Sequence, residues 1–109
     1  MSSKDFHDYI IKDVFLDIPG ITSKRMFGGY GLYKDGIFFA IISDDAIYFK
    51  VGPNNQADFE KKGSKPFTYA KKDGKQVVMS FWEFPPDVME DKEELKDWVE
   101  KSVEAARNK

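Results

Sequence analysis

Acid–base and nucleophilic catalysis at neutral pH draw mainly on histidine, cysteine and paired carboxylates. The chain is poor in the first two, with one histidine, His7, and no cysteine. Any Ser-His-Asp arrangement would have to be built on His7, and a single histidine so near the start of a chain reads as a surface residue rather than a base. Without thiolates, neither disulfides nor cysteine metal sites can form. A metal would need carboxylates, yet Asp44 and Asp45 lack the ligand spacing of a calcium loop. Asp87, Glu90, Asp91, Glu93 and Glu94 read as acids gathered at a helix N-terminus, where the macrodipole favours them. Gly29-Tyr30-Gly31-Leu32-Tyr33-Lys34 opens like a dinucleotide fingerprint, but Lys34 takes the place of the last glycine and a hairpin comes after it instead of a helix. Gly63-Ser64-Lys65 holds phosphate-loop residues in the wrong order. The expectation is a protein that is not an enzyme, with no catalytic residues, no metal and no cofactor.

Two stretches have the residues to bind rather than react. Residues 61–75 hold six lysines against one acid, and within them Lys65, Phe67, Tyr69, Lys71 and Lys72 combine cations with aromatics, the materials of single-strand nucleic-acid binding. Against this stands a net charge of −2 with no basic stripe elsewhere, and lysines also collect at helix ends and hairpin turns because both are solvated. The second stretch is Arg25, Gly28, Gly29, Tyr30 and Gly31, where an arginine beside exposed backbone amides would suit a small anion. The same glycines also fit a bulge that needs them for backbone geometry alone.

The elements that position these residues can be read from period and punctuation. The chain has 109 residues, enough for one core and one domain, and 41% of them are hydrophobic, including ten Phe, five Tyr and two Trp. Its charged opening leads to the expectation of no secretion or transit signal, and its longest apolar run, residues 37–42, is far short of the roughly 20 residues of a membrane span. A cytoplasmic location away from membranes is expected. Phe6, Tyr9, Ile10 and Val14 recur at helical spacing over residues 3–16, ahead of the turn pair Pro19-Gly20. Residues 25–51 read as three strands, the first bent at its glycines, with turns at Asp35-Gly36 and Asp44-Asp45. Pro53 opens a short helix to about Lys62, with Gly63 as its left-handed terminator. Another hairpin turns at Asp73-Gly74, Pro85-Pro86 makes an extended link, and a last helix starts at Asp91, where Asp91 and Glu94 form an acidic capping box. Leu95, Trp98, Val99, Ser102, Val103 and Ala106 make its apolar stripe. The fold class is α+β, two-layer, with a mainly antiparallel five-stranded sheet.

Regular two-residue turns would pair Tyr33 with Phe38, Leu32 with Phe39, Ile41 with Tyr48 and Ala40 with Phe49. One face then carries Tyr33, Phe38, Ala40, Ile42, Ile47, Phe49 and Val51, and the other Tyr30, Leu32, Phe39, Ile41, Tyr48 and Lys50. In the second hairpin Ala70, Val77, Met79 and Phe81 oppose Phe67, Tyr69, Val78 and Trp82. Both faces are apolar, and three helices can cover only one of them. The side with Tyr30, Leu32, Phe39, Tyr48, Phe67, Tyr69 and Trp82 would need another cover, and a symmetric homodimer is the expected one.

The segment Lys24-Arg25-Met26-Phe27-Gly28-Gly29-Tyr30-Gly31-Leu32-Tyr33-Lys34-Asp35-Gly36 resembles the signature of the TfoX/Sxy N-terminal domain family. Matches continue with Phe38-Phe39-Ala40, Ile47-Tyr48-Phe49-Lys50-Val51, Phe59, Gly63, Pro66-Phe67-Thr68-Tyr69, Met79-Ser80 and Trp98, so the resemblance covers nearly the whole chain. It implies a fold like that of secretion chaperones, in the order α-β-β-β-α-β-β-α, which is also the order read from the residues. It further implies kinship with bacterial regulators of natural competence, the DNA transformation proteins, which act on transcription together with the cyclic-AMP receptor protein. By this resemblance the chain would be a non-enzymatic regulatory or adaptor domain with a transcription-associated protein partner. Those regulators carry a second, helical C-terminal domain, whereas a single stand-alone domain over residues 1–109 is expected here.

Overall fold

The computed structural model describes residues 3–26, 29–43, 46–70 and 72–107, with residues 3, 69, 70 and 76–78 described by their backbone alone. The expected Asp44-Asp45 turn therefore lies outside the described residues. Helix α1 (Ser3–Tyr9) runs into a π-helical turn, Ile10–Val14, that puts Ile10 and Val14 into the core while Tyr9 stays 45% exposed. Strands β1 (Ile21–Met26), β2 (Gly29–Lys34), β3 (Ile37–Ser43) and β4 (Ala46–Lys50) come next. Then come α2 (Gln56–Lys61), β5 (Pro66–Ala70), β6 (Gln76–Glu83), a 3-10 turn at Val88–Glu90 and α3 (Lys92–Arg107). Asp91 caps α3 as expected, its Oδ1 accepting from the amides of Glu93 and Glu94, each at 3.1 Å.

Among the described residues the strands form one antiparallel sheet in the order β1-β2-β3-β4-β6-β5. It has six strands rather than five. The extra one is β1, whose last residue, Met26, pairs with Gly29, so Gly29 starts a second strand instead of continuing the first. Thr22, Lys24 and Arg25 are exposed on this edge strand. Charge on an edge blocks pairing with other chains, and the same charge hides the apolar alternation by which a strand is read.

The hairpin at Asp35-Gly36 has φ of 51° and 83° at its two turn residues and pairs Tyr33 with Phe38, as expected. Beyond it the ladder departs from the regular register: Leu32 pairs with Ala40, which leaves Phe39 as an extra residue in β3. Phe39 and Ala40 are both fully buried. This bulge corrects the expected faces. Tyr30, Leu32, Phe39, Ala40, Ile42, Ile47, Phe49 and Val51 all belong to or pack on one core, together with Trp82 and residues of the helices. A second irregularity, between Pro66 and Thr68, places Phe67 against Tyr48 on the other side, with ring centroids 4.7 Å apart.

The core lies between this face and the helices. Phe49 stacks on Phe84 at 4.2 Å, meets Phe39 edge-on at 5.5 Å and touches Phe15 at 6.3 Å. Trp98 of α3 adds edge contacts to Phe59 and Phe84. The opposite face carries Tyr33, Phe38, Ile41, Tyr48, Phe67, Met79 and Phe81, together with Thr22, Lys24, Lys50 and Glu83. Phe81 is 6% exposed yet stands outside the core cluster, shielded by Phe38 at 5.3 Å and by the Lys50 ammonium at 5.4 Å from its ring. Among the described residues no helix covers this face.

Candidate binding surface at the first hairpin

The β1–β2 hairpin presents two different surfaces. On the helix side Arg25 stands opposite Tyr30, with its guanidinium 6.0 Å from the ring centroid. His7 of α1 stacks on the same ring at 4.0 Å and 22°. Its Nε2 is 2.8 Å from Ser23 Oγ and its Nδ1 3.1 Å from Asp8 Oδ1. A carboxylate can only accept, so Nδ1–H donates to Asp8 and, in the neutral ring, Nε2 accepts from the Ser23 hydroxyl. The bond from His7 holds the Asp8 carboxyl below its ordinary value. His7, read from sequence as a surface residue, has a side chain only 15% exposed.

This is the order of a nucleophile, a base and an orienting acid. The Asp8 side chain, however, is 38% exposed, and Ser23 pairs with the core residue Leu32, so the hydroxyl sits on the helix side of the sheet, away from the cavity on the open face. We read the chain of bonds as a clamp that seats α1 on β1.

On the open side a partly open cavity of about 520 Å³ is lined, among the described residues, by Met26, Gly29, Phe38, Ile41, Ile42, Ser43, Phe67 and Met79. Gly29 is packed so closely on the β3 backbone that a Cβ would overlap the Ile42 carbonyl oxygen. At Gly31 a Cβ would stand 2.5 Å from Met26 Cε and 2.9 Å from Phe38 Cε1. Close approach, rather than positive φ, explains these two glycines. Arg25 and Tyr30 therefore lie across the sheet from the surface that Gly29 and Gly31 help to shape, and Gly28 lies outside the described residues.

The lysine-rich stretch is more mixed in space than in sequence. Lys65 and Lys72 are exposed, Phe67 is half-buried on Tyr48, and Lys71 and the Tyr69 side chain lie outside the described residues. Lys62 bonds Asp87 at 2.8 Å, and Lys61 and Lys62 border a groove with Asp58, Glu94 and Asp97. The hydrogen bond and charge of Lys62 hold the Asp87 carboxyl below its ordinary value, and the same bond raises the Lys62 ammonium. A depressed carboxyl contributes stability above its unfolded value and loses it as pH falls through the carboxylate range. This pair is exposed, so Asp87→Asn should change the acid unfolding curve little, and less still in high salt.

One residue that position in the sequence does not mark is Asn55, a side chain 2% exposed. Its Oδ1 accepts from the Gly52 amide at 2.8 Å, and its Nδ2 reaches the Lys50 carbonyl at 3.1 Å and Ser102 Oγ of α3 at 3.4 Å. Asn55→Ala should lower stability by about 1–3 kcal/mol in urea unfolding, because buried polar groups lose their partner. Asn54→Ala, which removes an exposed bond to the Lys101 carbonyl, should stay within about 0.5 kcal/mol.

An antiparallel sheet with helices on one face and an apolar pocket on the other defines a small α+β domain. The family model described as the TfoX N-terminal domain matches residues 13–106, and the chain belongs to that family. It is also similar to the DNA transformation protein TfoX1 of Aliivibrio fischeri (strain ATCC 700601 / ES114), 36% identical over 59 residues. That match takes in 53% of this chain and 28% of the relative's length.

Proposed function

We propose that this domain is a non-enzymatic regulatory or adaptor unit in the control of competence and transcription, acting in the cytoplasm through protein contacts made by its open sheet face. The observation that carries the reading is that face, where Tyr33, Phe38, Ile41, Tyr48, Phe67 and Met79 gather beside Thr22, Lys24, Lys50 and Glu83 and which no helix covers among the described residues. Family membership and the similarity to a DNA transformation protein support the regulatory part. The cyclic-AMP receptor protein, the partner that family resemblance suggests, is the first to test. Interferometry with purified receptor protein should show binding by the wild type, loss with Tyr48→Glu and no loss with Lys65→Glu. The reverse pattern, with loss only at Lys65 and a shift of labelled DNA at low salt, would favour a nucleic-acid surface instead.

The same uncovered face favours a second reading, a symmetric homodimer joined through it. Light scattering should then give a doubled mass at micromolar concentration. A mass near 12.6 kDa, unchanged as concentration rises, would remove the dimer and leave the partner-protein reading.

No helix among the described residues is long and apolar enough to cross a membrane.

A further inference from the structure

We infer that the cavity beside Gly29 is a binding site for a small, neutral, mainly apolar molecule carrying one hydrogen-bonding group. The inference goes beyond the protein-contact reading and does not depend on it.

At about 520 Å³ the cavity lies inside the range of roughly 300–1,000 Å³ typical of small-molecule sites. A concavity of this size takes a compact occupant. Among the described residues the lining is also apolar: none of the eight is charged, and Ser43 alone among them has a polar side chain. A charged ligand would lose its hydration here without an ionic partner among these residues. An aromatic ring or short alkyl chain would instead meet Phe38, Phe67, Ile41 and the thioethers of Met26 and Met79. Methionine side chains adapt to irregular apolar shapes and contact aromatic rings favourably.

The second glycine of β2 shapes the same space. A Cβ at Gly31 would press on Met26 and Phe38, both of which wall the cavity. The missing side chain thus leaves the cavity its width, a role that neither turn geometry nor the protein-contact reading assigns to Gly31.

The test uses the purified chain with methyl-labelled methionine, and 1-octanol and indole as probes. Saturable shifts of the Met26 and Met79 methyl signals are expected, with the Met89 methyl, packed on the core, unmoved. Ile41→Trp, which fills the cavity, should weaken probe binding roughly tenfold or more. Gly31→Ala should weaken it as well, and a circular-dichroism melt shows that each variant is folded. Three results would overturn the inference: no saturable shift with either probe, equal shifts at Met89, or undiminished binding by both folded variants. Shifts of Met26 and Met79 that track protein concentration without any probe would also overturn it, because a second copy would then fill the cavity. None of these readouts involves the receptor protein, so failure here and failure of the protein-contact reading can be told apart.

Discussion

Gly29→Ala is expected to cost this domain about 3 kcal/mol or more, an overpacking penalty at the upper end of what buried sites show. The added methyl points at the Ile42 carbonyl oxygen, which belongs to the backbone and cannot rotate away as a side chain could. Ile42 pairs with both Tyr30 and Ile47 and is fully buried, so moving it opens two ladders and the core together. In urea the midpoint should fall with the slope unchanged, and the melting temperature should drop by roughly 12 °C or more. Gly36→Ala is the control. Gly36 has φ of 83° and nothing within 4 Å of a Cβ, so only local strain of about 1 kcal/mol is expected. Equal losses at the two positions would refute the close-packing account of the Gly29 position.

Phe49→Ala should be as damaging, about 3–5 kcal/mol, the usual range for removing a buried aromatic ring. Phe49 is fully buried, and its ring is held by Phe39, Phe84 and Phe15, so the hole would open where β3, β4 and the π-helical turn meet. Phe38→Ala on the opposite face removes the same number of atoms from a half-buried site and should cost about 1–2 kcal/mol. The contrast between two phenylalanines in adjacent strands tests which face of the sheet carries the core. A larger loss for Phe38→Ala would reverse the assignment.

Much of the fold is legible because local rules and tertiary packing agree. Asp91 and Glu94 mark the start of α3, Leu95, Trp98, Val99, Ser102 and Val103 mark its buried stripe, and Asp35-Gly36 fixes the central hairpin. What escapes the sequence has physical causes. Strand β1 is an exposed edge, and its Thr22, Lys24 and Arg25 carry no apolar alternation. The bulge at Phe39 cannot be read from a turn that predicts a regular ladder, so the faces of β2 come out exchanged relative to the distal half of β3. For the site, the stretch around Gly29 and Gly31 stands out from the residues alone, yet its chemistry does not. Arg25 lies next to these glycines along the chain but on the opposite face, which leaves them an apolar setting where the residue types alone suggest an anion site. The clamp of His7 on Ser23 joins residues 16 positions apart, and no spacing rule announces it.

The bulge at Phe39 also bears on how this domain tolerates changes of length. In a strand the faces alternate at every residue, so gaining or losing one residue normally turns everything beyond it inside out. Here the surplus residue is absorbed on the spot, with Phe39 and Ala40 both buried, while Phe38 on one side and Ile41 on the other keep to the open face. The ladder is thus in phase before and after the irregularity. A single-residue deletion at Phe39 or Ala40 would shorten β3 and thin the core without exchanging its two faces, whereas a deletion elsewhere in the strand would exchange them. Position 39 is therefore the place in β3 where a family member can differ in length by one residue and still keep its pattern of apolar faces.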